Sequence, residues 1–324
     1  MTTTVALPDE YTFRPPEPND AEAIVDLLSA YNLAMIGFPD CTLDGVTAFL
    51  AEPGFDRGTD SWLVLAGNGL PIGLAASFGL GDRQVVQIDL TSQEPAVAAW
   101  LFERATRRAR EMGHERGHAQ VTVDFFIFRA DEPLRALLSD RGCAFGTTYH
   151  RMRIDHTADA TVPGLPEGVV VRRGAFDDAA RWAAHEVVIE SFRGQFGFVP
   201  RPHDEWVEAL EALPTFDWSQ LTVLEVGGRA VAVRQCNDGF VEKENCGHIA
   251  MLGVLEEFRG RGLARFLLRD AFALDAAAGR AGTMLHVDTN NPTPALGLYL
   301  SVGMNPILVI DGLRCVLTTG RLGS

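Results

Sequence analysis

The chain has 324 residues, 47% of them hydrophobic and 22% charged, a length for two domains at roughly 100 to 200 residues each and a composition that excludes a disordered or low-complexity chain. With 43 acidic against 28 basic side chains the formal charge is −15, which works against a nucleic-acid partner and favours either solubility alone or the attraction of a cationic, amine-bearing substrate. The five cysteines, Cys41, Cys143, Cys236, Cys246 and Cys315, have no CxxC or metal-type spacing, so neither a disulfide framework nor a metal site is expected and a reducing compartment fits.

The first stretch, MTTTVALPDEYTFRPPEP, has no basic segment ahead of an apolar one. Nowhere does an uninterrupted apolar run reach the length of about 18 residues that a membrane span needs, and the expectation is a soluble, cytoplasmic protein with no membrane partner. The Arg- and Ala-rich, Lys-poor composition suggests a GC-rich bacterial source.

In chain order, YTFRPPEPNDAEAIVDLLSAY reads as a strand ending in Arg, an acidic turn and an amphipathic helix. SWLVLAGNGLPIGLAASFG reads as two strands about a glycine turn. VVQIDL and AVAAWLFERATRRAREM give a strand and a helix, and LRALLSDRGCAF a helix closed at Gly142. The segment 156–168, HTADATVPGLPEG, has the Pro, Gly and Thr content of a linker.

Beyond the linker the pattern repeats. VVVRRGAFDDAARWAAHEVV, QLTVLEVGGRAVAVRQC and ALGLYLSVGMNP, closed at Gly303, follow their counterparts at offsets of 158, 159 and 161 positions. HIAMLGVL and LARFLLRDAFALDAAAG supply the matching strand and helix. A period this long implies a duplicated fold, each copy of mixed α/β order, with domains at 1–155 and 169–324 joined by the linker 156–168.

The chemistry gathers after HIAMLGVL, where EEFRGRGLARFLLRD places an Arg/Gly turn ahead of a long helix. Gly260 and Gly262 permit a tight turn and close backbone approach, and the free N–H groups and positive end of the helix make an anion site. Arg259, Arg261 and Arg265 add local positive charge. The pattern lacks the Gly-Lys-Ser/Thr of a Walker loop and the G-x-G-x-x-G of a dinucleotide fold.

Here the chain resembles the GNAT superfamily of N-acetyltransferases, in its tandem-domain form. The family's R/Q-x-x-G-x-G/A signature is met by Arg259-Gly260-Arg261-Gly262-Leu263-Ala264. MLHVDTNNPTPALGLYLSVGMNP is similar to the family's fifth strand, Asn-led helix and Tyr segment, and the resemblance covers roughly residues 169–318. It implies two tandem folds, each a mixed, mostly antiparallel sheet flanked by helices, with splayed central parallel strands. It also implies acetyl-CoA as co-substrate, its pantetheine arm paired with the backbone of Met251, Leu252, Gly253 and Val254, its pyrophosphate on the N–H groups from Arg259 to Ala264, and Asn291 opening the last helix beside it.

Acyl transfer to an amine needs a neutral nitrogen, so an ammonium with a pKa of about 10 must first lose a proton. His248 is the candidate base, because an unperturbed histidine near 6.5 suits the task, and Glu244 is the substitute. The resemblance places Tyr299 as the acid that protonates the departing thiolate. Glu190, Phe192, Phe196 and His203, in ESFRGQFGFVPRPHDEW, are candidates for the wall of a small-molecule amine pocket. Each also has a plainer reading: a core or surface histidine, a packed aromatic, a cap or a staple between helices.

The first copy is expected to be degenerate. Leu138 occupies the place of Tyr299, and TSQEPAVAAW presents Glu94 where the second copy has paired glycines and arginines. The chain is expected to be a monomer or homodimer. Two other classes compete: an acyl-CoA-binding protein without turnover, and a tRNA-using tandem transferase, which the charge disfavours.

Overall fold

The computed structural model describes residues 5–52, 54–156, 163–290 and 295–320. The strands and helices run β1 (Thr12–Arg14), α1 (Ala21–Ile36), α2 (Leu43–Leu50), α3 (Arg57–Asp60), β2 (Ser61–Leu65), β3 (Pro71–Leu80), β4 (Val85–Ser92), α4 (Pro95–Glu115), β5 (Gln120–Phe128), α5 (Glu132–Asp140) and β6 (Ala144–Asp155). The order then recurs, without a helix matching α3 and with α8 added, as β7 (Val169–Arg173), α6 (Asp178–Phe192), α7 (His203–Glu211), β8 (Leu221–Val226), β9 (Arg229–Asn237), a short α8 (Val241–Glu244), β10 (Cys246–Val254), α9 (Leu263–Ala277), β11 (Gly282–Asp288), α10 (Ala295–Ser301) and β12 (Asn305–Thr318).

The chain forms two compact units, Met1–Thr147 with Ile310–Ser324, and Thr148–Val309. They differ from the contiguous halves read from the sequence because long-range pairing, not the linker, assigns the closing strands. In the first unit the order is β1-β2-β3-β4-β5-β12, antiparallel except for β4 and β5. In the second it is β6-β11-β10-β9-β8-β7, antiparallel except for β10 and β11. Each is therefore a mixed, mostly antiparallel sheet flanked by helices.

Side chains fasten the chain's last strand into the first unit. Arg314 on β12 makes a two-pronged contact with buried Asp124 on β5 at 2.6 and 2.7 Å. Arg129 and Arg135 both reach buried Asp311 at 2.7 Å. In that unit α4 turns Val97, Leu101, Ala105 and Met112 onto β3, β4 and β5, a helical period of apolar residues that packs with Phe125 and Ile88.

In the second unit the sheet divides two cores. Val187, Val188, Trp206 and Leu210 of α6 and α7 cover one face with Leu221, Val223 and Val233. Leu263, Phe266, Leu267, Leu268, Ala271 and Phe272 of α9 cover the other with Leu224, Ala232, Ile249 and Leu285. Asp177 caps α6 through the N–H of Ala180 at 2.8 Å, a contact that satisfies one of the helix's orphan donors.

One charge lies within the apolar stripe of α9. Asp270 accepts from Arg173 at 2.5 and 2.7 Å and from Arg234 at 2.8 Å, and Arg234 also donates to the carbonyl of Leu267 and to Thr222. Burial alone pushes the Asp270 carboxyl up, but the hydrogen bond from Arg173 and the charge and hydrogen bond of Arg234 outweigh it and hold the group below the usual range. On the opposite face α6 approaches β10 at Gly253. A Cβ there would lie 2.1 Å from Ser191 Oγ, which is itself bonded to the carbonyl of Val187.

Asp270→Ala strands Arg234 in the interior and is expected to cost about 3–5 kcal/mol in urea unfolding at neutral pH. Because the folded pKa is depressed, the wild-type contribution is present above the unfolded carboxylate pKa of about 3.9 and fades as pH falls through the lower folded value; a variant whose stability matches wild type at neutral pH contradicts this. Gly253→Ala is expected to cost about 1–3 kcal/mol by overpacking, and Ser191→Gly to recover much of that loss in the double variant.

Candidate active site

The two central parallel strands of the second unit start paired and then part. Register runs from Cys246↔Gly282 to Ile249↔Leu285 and goes no further, while β10 continues against β9 from Met251↔Gln235 to Val254↔Ala232. A bulge between Ile249 and Met251 bends β10 at that point. From there to Val254 one edge of β10 has no ladder partner in β11, so backbone N–H and C=O groups along Met251 to Val254 are available to an extended ligand.

The strand runs out into the Arg/Gly turn. Gly260 and Gly262 sit at φ +75° and +80°, and nothing lies within 4 Å of where a Cβ would be on either. Gly262 is the N-cap of α9 and offers no capping side chain. The first-turn N–H groups, from Leu263 onward, therefore lack helical acceptors at the positive end of the helix. Arg259 Nε turns back to the carbonyl of Val254 at 3.2 Å, Arg261 lies 4.8 Å over the Phe258 ring, and Arg265 reaches Ser301 at 3.0 Å. The residues present fit a diphosphate carried on an extended arm.

His248 lies just before the parting. Its neighbour Ile249 packs toward α9 and α10, so alternation along the strand turns His248 to the α6 face. The same argument applies to His286 on β11, between the inward Leu285 and Val287, and to Arg151 on β6, beside inward Met152. The three meet there. The His248 and His286 rings are perpendicular with centroids 5.7 Å apart, Arg151 Nε donates to His286 Nε2 at 3.1 Å, and Phe240 lies edge-on to His248 at 4.9 Å with the Arg151 guanidinium 4.8 Å from its centroid. His248 Nδ1 is 3.0 Å from Asn237 Oδ1.

Burial first, then the neighbouring His286 and the Arg151 charge, push the His248 pKa down to about 3. The unperturbed value near 6.5 expected from sequence does not survive this setting, and the ring is neutral at physiological pH. Glu244, the substitute base, is committed to Arg153 at 2.9 Å.

Tyr299 lies on α10 across the sheet from His248, packed with Leu268, Ile249, Leu285 and Met304. It is 7% exposed. Burial pushes its pKa up to about 12, which keeps the phenol protonated. The sheet thus separates the two candidate proton-handling groups, and the β10–β11 ladder stops between them at Ile249↔Leu285. Asn291 lies outside the described residues.

The four expected pocket-wall residues do not form one wall. Phe192 lies beside Gly253, 3.4 Å from where its Cβ would be, and packs with Phe198. Phe196 accepts a hydrogen bond from Tyr149 at 2.8 Å through its backbone carbonyl. Glu190 is exposed and pairs with Arg193 at 2.9 Å. His203 is buried, stacked 3.8 Å from Trp182, edge-on to His185 and tilted against Trp206, which makes it a member of the α6–α7 core.

Sequence reading missed Asn237, Phe240, His286 and Arg151. His286 had a signal, a polar residue between Leu285 and Val287 in an apolar strand. Arg151 had none, because it precedes the linker and reaches the site through the pairing of β6 with β11.

The first unit keeps the parting of strands but not the cradle. β4 and β5 pair only from Val85↔Thr122 to Gln87↔Asp124. The helix that follows starts at Pro95, which has no N–H, behind Glu94 as N-cap, and Leu138 is wholly buried.

Among the described residues no group of three or more His, Cys, Asp or Glu could hold a metal ion, and no helix is long and apolar enough to cross a membrane. Residues 185–304 match the family model for the acetyltransferase (GNAT) family. No curated protein matches the chain. Among solved structures, a GCN5-related N-acetyltransferase from Sphaerobacter thermophilus is similar at TM-score 0.78 and 24% identity, over 97% of this chain and 98% of that one. A tandem GNAT protein from the clavulanic acid biosynthesis pathway follows at TM-score 0.67 and 16% identity, over 97% and 100% of the two chains. Saccharomyces cerevisiae N-myristoyltransferase with bound myristoyl-CoA reaches TM-score 0.61 at 11% identity, over 97% and 84%. The parted strands and the glycine cradle lie inside the segment, residues 185–304, that matches the acetyltransferase (GNAT) family model, and the chain as a whole has the fold of tandem GNAT proteins.

Proposed function

We propose that the protein is an acetyl-CoA-dependent N-acetyltransferase acting on the primary amine of a small molecule, with its one working site in the second unit. The observation that carries this reading is the parting of β10 from β11 immediately ahead of the Gly260–Gly262 turn. Backbone of Met251 to Val254 would hold the pantetheine arm, and the N–H groups from Arg259 to Ala264 the pyrophosphate. Acetyl-CoA, when bound, supplies the thioester carbonyl that the amine attacks and the thiolate that departs.

His248 takes part as a neutral imidazole. Its pKa of about 3 makes it a hydrogen-bond acceptor for an N–H of the amine or of a bridging water, and leaves the deprotonation of the ammonium to solvent. Tyr299 holds its proton until a thiolate needs it. The net charge of −15 draws a cationic amine toward the protein as a whole, while Arg151 beside His248 favours the neutral form at the point of attack.

A narrower version is mycothiol synthase, which acetylates the cysteinyl amine of a pseudodisaccharide and which tandem GNAT proteins of this length resemble. The resemblance puts Glu there where this chain has His248, so the acceptor is best stated as a small primary amine. The rival, an acyl-CoA-binding protein without turnover, predicts binding but no acetylated product.

Calorimetric titration with acetyl-CoA is expected to give a stoichiometry near one, lost in Gly262→Asp, which places a carboxylate on the cradle; two equivalent sites would contradict the assignment of a single cradle. With an amine panel, Tyr299→Phe is expected to lower kcat by about 10²-fold with acetyl-CoA affinity retained, and a collapse of affinity instead would make Tyr299 a packing residue. The pH dependence of kcat/KM is expected to climb toward the amine's own pKa of about 10 without an inflection near 6.5, since His248 is deprotonated throughout; an inflection there that disappears in His248→Gln would mean that the imidazole carries the proton.

A further inference from the structure

The hydrogen bonds around His248 fix more than its position. The backbone N–H of Gly239 donates to Asn237 Oδ1 at 3.0 Å. A backbone N–H can only donate, so the atom it meets must be the amide oxygen, and the orientation of the Asn237 amide is settled by its own chain. That same oxygen lies 3.0 Å from His248 Nδ1. An amide oxygen has no proton to give, so Nδ1 must be the donor.

A parallel argument covers the second ring. Arg151 has only donors, and its Nε meets His286 Nε2 at 3.1 Å, so Nε2 of His286 accepts and Nδ1 carries that proton. The groups facing His248 are Asn237 at the end of β9, Phe240 after it, His286 on β11 and Arg151 on β6. Arg151 is the charged one among these, and it disfavours a second cation beside it. Both imidazoles are then neutral, and the choice of nitrogen is what distinguishes their possible states. Among the described residues Nε2 of His248 has no hydrogen-bond partner, and it is not one of their enclosed, unpartnered polar atoms.

We propose that Asn237 is a positioning residue for acyl transfer, holding His248 in the Nδ1–H tautomer so that Nε2 presents a bare lone pair to the acceptor. This rests on the reading of the site given above. Free histidine side chains in water favour the opposite, Nε2–H tautomer, which would turn a donor toward the nitrogen lone pair that has to attack. Asn237 reverses that preference through an oxygen that the Gly239 N–H prevents from rotating away, and the reactive amine meets an acceptor in place of a competing donor.

The test is long-range 1H–15N correlation spectroscopy of the histidine rings in the labelled full-length protein, with His248→Gln assigning the signals. The expected wild-type pattern at neutral pH is a protonated Nδ1 and an unprotonated Nε2 for His248. Asn237→Ala should shift the ring toward Nε2–H and lower kcat roughly tenfold or more with acetyl-CoA affinity retained. Asn237→Asp keeps an acceptor for both Gly239 and His248, so it should retain the Nδ1–H pattern, raise the ring's titration and add an acid limb to the pH–rate profile. An Nε2–H ring in the wild type, or a ring unchanged in Asn237→Ala, overturns the proposal. Failure of the wider reading looks different: His248→Gln with undiminished turnover removes the imidazole from the reaction, whereas the spectrum alone decides the tautomer.

Discussion

Asp270 ties the second unit's cradle to its sheet. It sits on the covered side of α9 and takes hydrogen bonds from Arg234 on β9 and Arg173 on β7, and Arg234 continues to the carbonyl of Leu267 and to Thr222 on β8. Buried charges are costly unless paired and fully hydrogen-bonded, so α9 has little freedom to roll or slide. Its N-terminus is the Gly260–Gly262 turn, and the direction in which those free N–H groups point is inherited from the helix. A carboxylate placed inside a strip of Leu, Phe and Ala thereby helps to set the direction of the free N–H groups two turns away.

The parting of β10 and β11 is the complementary constraint. A parallel ladder that stops at Ile249↔Leu285 leaves backbone groups that a continuous sheet would have consumed. A neutral imidazole lies on one face of the sheet near this point and a buried phenol on the other. Both groups have pKa values displaced by burial, in opposite directions on the scale but toward the same result, since each is uncharged at neutral pH. In the proposed reaction, proton handling would therefore depend on hydrogen-bond direction more than on stored charge, which is why the proposal turns on the Asn237 amide.

The first unit shows what is lost when one part of this arrangement goes. Its strands still part after Gln87↔Asp124, because that follows from the order and twist of the sheet. The helix behind them opens with Glu94 and Pro95 in place of glycines, so an anion would meet a carboxylate and one fewer N–H. The fold is kept there without the glycine turn of the second copy.

The duplicated order of elements, the apolar faces of α4 and α9 and the two glycines of the cradle were all legible in the sequence. Each is local: periodicity sets which face of a helix is buried, and a left-handed turn requires glycine where Gly260 and Gly262 stand. The acid role proposed for Tyr299 rests on a family resemblance, since nothing local separates it from a packed aromatic. The state of His248 was not legible, because its pKa is set by burial first and then by His286 and Arg151, brought alongside by strands whose order no short segment encodes. The closing strands show the same limit. Residues 149–155 precede the linker yet complete the second unit's sheet, and residues 310–318 follow the site yet complete the first's. Sequence alone determined the elements and the cradle, through local conformational preference. Tertiary structure decided which strand closes which sheet and what surrounds the imidazole, because both depend on hydrogen bonds and burial between residues far apart along the chain.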